Sequence, residues 1–409
     1  MPYLPHLSSS TWRRATLACL VSTALALTAC SSSGGTSNSS GPPGGSSVAG
    51  SSTPAGSSGA SSDPLAAAKA NLAKYAGQVA NYASVKTLTG GVSSLKGKTV
   101  WYVPIGSAVP ILNAFGVGVQ QAVEKIGLKF HTCDGKFLPT TIASCLDQAA
   151  TQGADAVITG YIDYQLVPTA FDNLVSKNIP VLIAGEKPSG GKTDSSKLAF
   201  YDTSDSINVV QGLAADAIIV DSGGKANVLF IGVTDSPQTK GAATYAKQYF
   251  ADKCSGCKFT EIDYNTASLN MVPSQVSSAL IANPDTTYVF PSLDAGAPGA
   301  ISGIKTAGYS NKVKLASTNG ALDSLQRIKG GQVQFADIGF SPIYTGWQFT
   351  DGILRMMTGS TPIAAVGVIR AFTKDNVGGL TLTPDAYNTN AWYGSDAYEQ
   401  TFLTAWGAA

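Results

Sequence analysis

Short apolar runs recur along most of this chain at intervals of roughly 25–30 residues, each followed by a stretch of helical periodicity, the size and order of a strand–helix repeat. The runs are Thr99–Val103, Lys129–Cys133, Ala156–Thr159 and Pro180–Ala184, then Asn227–Ile231, Phe259–Tyr264, Thr287–Phe290 and Val313–Ser317. Stripes such as Leu112, Phe115, Val119, Val123 and Ile126, or Ile142, Leu146 and Ala149, mark the helices between them. Strands that are apolar throughout must be covered on both faces, which is the condition of a parallel sheet. Two such series, separated near Asp202–Ser204, predict an α/β protein of two doubly wound parallel-sheet lobes. From Lys98 to the end the chain runs about 310 residues, which suits two domains better than one core.

The N-terminus reads differently. Arg13 and Arg14 precede the apolar run Thr16–Ala29, too short to span a bilayer, where about 20 residues are needed, but suited to the leader of an exported protein. Leu27-Thr28-Ala29-Cys30 resembles a lipobox, so residues 1–29 are expected to be a lipoprotein signal peptide and Cys30 the lipidated first residue of the mature chain. The arginine pair also suits a twin-arginine leader, which Trp12 and Thr16 fit poorly. Ser31–Ser62 consists almost wholly of Ser, Gly, Ala, Pro and Thr. It cannot bury enough apolar surface to offset its ordering entropy, so residues 30–62 are expected to form a tether with a reach on the order of 30 Å. Residues 63–96 then read as an amphipathic helix and lead-in, with Asp63 as N-cap, Pro64 in the first turn, and Leu65, Leu72, Tyr75, Val79 and Tyr82 on one stripe.

With Cys19 in the leader and Cys30 given to lipid, Cys133, Cys145, Cys254 and Cys257 remain, and an extracytoplasmic compartment permits their oxidation. Of the three pairings, Cys133–Cys145 with Cys254–Cys257 is preferred: the first would join a strand end to the next helix, and the second would close a short turn. The first is worth roughly 3 kcal/mol at most in loop entropy. A redox-active Cys254-Ser255-Gly256-Cys257 would open a helix, whereas here the motif closes one.

Composition excludes several functions. A formal charge of +1, with arginine after the leader only at 327, 355 and 370, gives no footprint for nucleic acid. His131 is the single histidine of the mature chain, so no histidine triad or histidine-rich metal site can be assembled, and neither a metal nor a cofactor is expected. Gly190-Gly191-Lys192-Thr193 ends like a phosphate-binding loop, but Glu186 stands where that motif needs its first glycine. Gly116-Val117-Gly118 lies in a helical stripe and reads as close helix packing.

Gly153-Ala154-Asp155-Ala156-Val157-Ile158, Asn178-Ile179-Pro180-Val181 and Ala282-Asn283-Pro284-Asp285 resemble, in order and spacing, the ribose/galactose-type (type I) periplasmic binding proteins. The resemblance covers about Lys98–Arg370. It implies two lobes joined by a multi-strand hinge, lobe 1 taking 97–202 plus 340–362 and lobe 2 taking 203–339 plus 363–409. It also implies a monomeric substrate-binding lipoprotein of an ABC transporter, held at the extracytoplasmic face of the cell membrane, which passes a small molecule to a permease and does no chemistry on it.

Ligands of open parallel sheets bind beyond the carboxyl ends of the strands. Carried over loop by loop, the resemblance implies Ser107, Tyr161, Asp163, Glu186 and Asp202 on one side, and Asp235, Asp294, Asn319 and Phe340 on the other. Sugar-binding relatives usually place Asp-Arg after the fourth strand and another Arg after the first strand of lobe 2, where this chain has Glu186-Lys187 and Asp235-Ser236. Lysine does not replace arginine's planar fork. The expected ligand is therefore neutral and polar, sugar-like or polyol-like. The alternatives are a cationic or heteroaromatic ligand such as a nucleoside, a sensory receptor, and a carboxylate-based hydrolase.

Overall fold

The computed structural model describes residues 63–409. The leader, Cys30 and the tether of 30–62 lie outside them. Helix α1 (Pro64–Tyr75) comes first, followed by β1 (Thr99–Pro104), α2 (Pro110–Lys125), β2 (Lys129–Thr132), α3 (Pro139–Thr151), β3 (Ala156–Gly160), α4 (Pro168–Ser176), β4 (Val181–Ala184) and β5 (Leu198–Tyr201). These strands form a parallel sheet in the order β2-β1-β3-β4-β5. The second series is α5 (Ser204–Asp221), β6 (Asn227–Val233), α6 (Pro237–Lys253), β7 (Lys258–Tyr264), α7 (Val272–Ala282), β8 (Tyr288–Pro291), α8 (Ala297–Thr306), β9 (Lys314–Thr318), α9 (Leu322–Lys329) and β10 (Gln334–Phe340). The chain then runs through α10 (Pro342–Met357), β11 (Ile369–Thr373) and the short α11 (Lys374–Val377), α12 (Pro384–Tyr387) and α13 (Ala397–Ala405). The second sheet has the order β11-β10-β9-β8-β6-β7, antiparallel only at β10–β11.

Proline in the first turn opens α2, α3, α4, α6 and α10. Its missing N–H costs nothing there and its fixed φ suits the helix, so each strand-to-helix turn is set locally. Helix α10 crosses back to pack on α2 of the first lobe. A Cβ built on Gly346 would lie 2.6 Å from the Phe115 carbonyl and 2.7 Å from Gly118 Cα, and one on Gly118 would run into the Ile343 carbonyl, so that crossing requires Gly118. Gly116 instead makes room for the Tyr102 ring of β1, 2.9 Å from where its Cβ would be.

Three links between the sheets follow from this order: at Asp202–Thr203, at Ser341, and over residues 358–368. Two more lie at the ends of the chain. Helix α1 packs on α5 and β11, with Asn71 Nδ2 donating to Asp216 at 2.7 Å, and the segment after it then crosses to the first lobe. There the Tyr82 ring stacks on Tyr344, and the Leu88 N–H donates to the Ala405 carbonyl at 2.7 Å. The tail crosses the same way, with Trp392 in the second lobe and Trp406 stacked on Trp347 of α10 at 5.5 Å. A buried ion pair, Arg355 Nε to Asp351 at 2.7 Å, anchors this region; Arg355 also donates to the Lys86 carbonyl and Trp406 Nε1 to Asp351.

Two sequence expectations are corrected here. Residues 397–409 pack on α10 of the first lobe, whereas the resemblance implies that 363–409 belong to the second; the aromatic face of α10 buries them. The helical stripe drawn through Val79 and Tyr82 stops at Tyr75. The Ala76 carbonyl is taken by Arg370 and Asn376, and Val79 pairs with Gly394 as a lone bridge, so tertiary partners end the helix. The sulfurs of Cys133 and Cys145 lie 1.99 Å apart, as do those of Cys254 and Cys257. No described helix is long and apolar enough to cross a membrane.

Candidate functional site

The carboxyl ends of both sheets turn toward each other, and the loops that leave them enclose a cavity of about 820 Å³, its open mouth included. The first lobe supplies an apolar wall: Ile105 beyond β1, Val109, Ile111, Leu112 and Phe115 from the start of α2, and Phe137. The Phe115 ring stacks on Tyr161 at 5.8 Å and on Phe340 at 5.9 Å, so three near-parallel rings run from the first lobe to the Ser341 link. Tyr161 has a φ of +58° and Asn319 one of +111°, left-handed conformations that side chains adopt only where their surroundings enforce them.

Glu186 enters this wall from the loop after β4. Its side chain is 2% exposed, and neither carboxyl oxygen has a hydrogen-bond partner. Burial pushes its pKa up to about 8, assisted by the charges of Asp163, Asp202 and Asp235; the Ser236 hydroxyl across the cavity opposes this in part. Gln211, in the middle of α5, donates to the Ser292 carbonyl at 2.9 Å and leaves its buried Oε1 unpartnered. Among the described residues that line the cavity, none is Lys, Arg or His.

The second lobe's polar groups are largely occupied with one another. Asp235, at the solvent-exposed rim, accepts from the Thr266 N–H and hydroxyl, each at 3.1 Å. Desolvation still raises its pKa, and those two bonds hold the rise back. The Ser236 hydroxyl caps α6 through the Thr239 N–H, and the Thr318 hydroxyl donates to the Ser292 carbonyl.

Of the residues expected at the site, Tyr161, Glu186, Asp235, Asn319 and Phe340 surround this one cavity. The other four have different work. Ser107 gives its backbone N–H to Asp134 at 2.8 Å. Asp163 accepts from Gln165 N at 2.7 Å and Ser189 Oγ at 3.1 Å, fixing its own loop. Asp202 accepts from the Ser204 N–H at 2.8 Å in the turn that opens α5. Asp294 is buried and accepts from Ala321 N at 2.7 Å, Ser324 Oγ at 2.8 Å and Ser317 Oγ, beside Asp337. Burial raises the pKa of both of these acids, and their mutual repulsion adds to the rise at Asp337. Asp294 faces a side recess that shares Val109, Ile111, Phe137 and Asn319 with the main cavity. Phe115, Phe137, Val210 and Gln211 were missed by the sequence reading. Phe115 and Val210 sit on stripes that look like ordinary core, and Phe137 lies in the loop between β2 and α3; only Gln211, alone among apolar neighbours in α5, carried a visible mark.

A family model described as "Periplasmic binding protein domain" matches residues 101–361. No curated protein sequence matches the chain. Among solved structures, an ABC transporter solute binding protein from Agrobacterium vitis, bound with α-D-tagatopyranose, is similar with a TM-score of 0.61 and 18% identity, over 70% of this chain and 97% of its own. The Caulobacter myo-inositol binding protein bound to myo-inositol has a TM-score of 0.58 and 21% identity, with 68% and 94% covered. The 5-methylthioribose transporter solute binding protein from Thermotoga lettingae has a TM-score of 0.59 and 15% identity, with 71% and 95% covered. At these identities the likeness is one of fold.

Proposed function

Because the chain belongs to the periplasmic binding protein domain family, we propose that it is an extracytoplasmic receptor, anchored through lipid at Cys30, that captures a small molecule between its lobes and hands it to an ABC permease. The observation that carries this is a cavity lined from both lobes at the carboxyl ends of their strands. Two of the solved relatives are described as transporter solute binding proteins, which supports the delivery reading, and capture requires no chemistry at the site. The ligand lays an apolar or ring face on Tyr161, Phe115 and Phe340 and offers at least one hydrogen-bond donor to Glu186. The relatives named above bind tagatopyranose, myo-inositol and 5-methylthioribose, which supports a ring-bearing ligand and the sugar-like reading. The mostly aliphatic and aromatic wall supports one with a larger apolar face than a bare polyol has.

Contacts from both lobes make a closed form the better binder, with rotation taken up in the links at Asp202–Thr203, Ser341 and 358–368. Small-angle scattering with and without a bound ligand should show a smaller radius of gyration in the complex; an unchanged radius rejects closure. Changing Cys30→Ala should move the protein from the membrane to the soluble fraction, since several acyl chains hold where one is marginal. Retention in the membrane pellet would sink the anchor. Oxidised Cys133–Cys145 and Cys254–Cys257 pairs suit the same compartment.

A further inference from the structure

The polar atoms that line the cavity sort into those already bonded and those left over. Asp235 accepts from Thr266, the Ser236 hydroxyl oxygen accepts from the Thr239 N–H while the Thr239 hydroxyl donates to the Ser236 carbonyl, and the Thr318 hydroxyl donates to the Ser292 carbonyl, which leaves the Ser236 hydroxyl proton facing Glu186. The fully buried atoms left without a partner are Glu186 Oε1, Glu186 Oε2 and Gln211 Oε1. All three are oxygens, and Gln211 is fixed with Oε1 as the free end because its Nε2 donates to Ser292. An unpaired buried carboxyl carries a large desolvation cost unless a counter-charge or donors meet it. The protein supplies no counter-charge and one weak donor: no cationic side chain lines the cavity among the described residues, and Lys187, next in the chain, lines a separate recess with Gln238 and Tyr245. The Ser236 hydroxyl across the cavity offers the carboxyl a bond too loose to satisfy it.

The charged groups around Glu186 are acidic from both sides, Asp163 and Asp202 from the first lobe and Asp235 from the second, with the Tyr161 and Ser236 hydroxyls as neutral neighbours. This field attracts a cation and repels an anion. The remaining wall is aliphatic and aromatic, with Phe115, Tyr161 and Phe340 as stacked rings.

We propose that the ligand is an amphipathic organic cation, an aryl or alkyl amine whose apolar body lies on the Phe115, Tyr161 and Phe340 rings and whose ammonium donates to Glu186 and Gln211. This rests on the capture reading above and narrows its ligand. In the empty cavity Glu186 holds a proton at neutral pH, because its pKa stands near 8. An arriving ammonium replaces that proton, which leaves to solvent as the carboxylate–ammonium pair forms. Affinity for an amine therefore tightens as pH rises to about 8 and falls off again only as the ammonium itself loses its proton at about pH 10, whereas a neutral sugar, able to accept from the protonated carboxyl, gains nothing over that range.

Isothermal titration of the full-length protein in detergent with 2-phenylethylamine, its neutral counterpart 2-phenylethanol, D-ribose and myo-inositol tests this at pH 6 and pH 8.5. The expected result is amine binding at least tenfold tighter than alcohol binding at pH 8.5, a smaller margin at pH 6, and loss of the margin in Glu186→Gln. Equal affinity for amine and alcohol, absence of amine binding, or a margin that survives in Glu186→Gln overturns the proposal. Binding of D-ribose or myo-inositol in place of the amine, with a reduced radius of gyration, overturns the ligand class and leaves interlobe capture standing. Amine binding with an unchanged radius keeps the ligand class and rejects closure.

Discussion

Of the carboxylates expected at the site from sequence, three belong to the first lobe and two to the second, and only Glu186 is left without a bond from its own surroundings; Asp163 and Asp202 tie up their own loops. The first lobe lays down an apolar and aromatic wall and leaves one acid, Glu186, bare within it. The second turns its acids on itself: Asp294 gathers Ser317, Ser324 and the Ala321 N–H, and Asp235 holds Thr266. Charge at a loop after a strand is thus a poor guide to a ligand contact. Unspent hydrogen-bonding capacity is the better one, because a saturated carboxylate has nothing left to give.

Titrating stability separates the two kinds of acid most strongly. Glu186 has a folded pKa near 8, above its ordinary 4.5, so between those values the native protein holds a proton that the unfolded chain has released. Its contribution is fully present below about pH 4.5, is lost as pH rises through 8, and is flat beyond. Stability against denaturant should fall by several kcal/mol as pH rises through that window in the ligand-free protein, and Glu186→Gln should remove the Glu186 share of the slope while leaving that of Asp294 and Asp337, whose pKa values burial also raises. A slope unchanged in the variant would place the titrating group elsewhere.

Asp294→Ala comes next. It strands three buried donors at roughly 1 kcal/mol or more each, so a loss of about 3 kcal/mol in stability is expected, in urea unfolding, with ligand affinity in the folded fraction nearly unchanged. A large drop in affinity at full stability would return Asp294 to the ligand and erase the contrast between lobes. The smallest effect belongs to Ser107→Ala. The serine contributes its backbone N–H to Asp134, which alanine retains, so both stability and affinity should move by less than about 0.5 kcal/mol.

The sheets were legible because continuous apolar runs have few other uses: the eight strands read from sequence match β1–β4 and β6–β9 to within two residues at each end. What remained hidden depended on partners distant in the chain. Nothing near Asp294 announces that Ser317 and Ser324 will reach it. Near Tyr75, Gly77 marks a place where a helix can stop, but nothing there shows that Arg370 will claim the Ala76 carbonyl. The cavity wall escaped for a different reason, since Phe115 and Leu112 sit on a stripe identical to one that packs a core, and a pattern of periodicity cannot say whether the opposing surface is protein or ligand.

The segments that join the lobes at the ends of the chain bear on how this protein can be shortened. The match to the family stops at residue 361, yet the Asp351–Arg355 pair is completed by Trp406 and the Lys86 carbonyl, both outside residues 101–361. A fragment trimmed to the shared borders would open the aromatic face of α10 to water and leave its ion pair half uncovered. It would also lose β11, the antiparallel edge of the second sheet. The smallest piece able to fold as the whole does therefore begins at α1 and keeps Trp406.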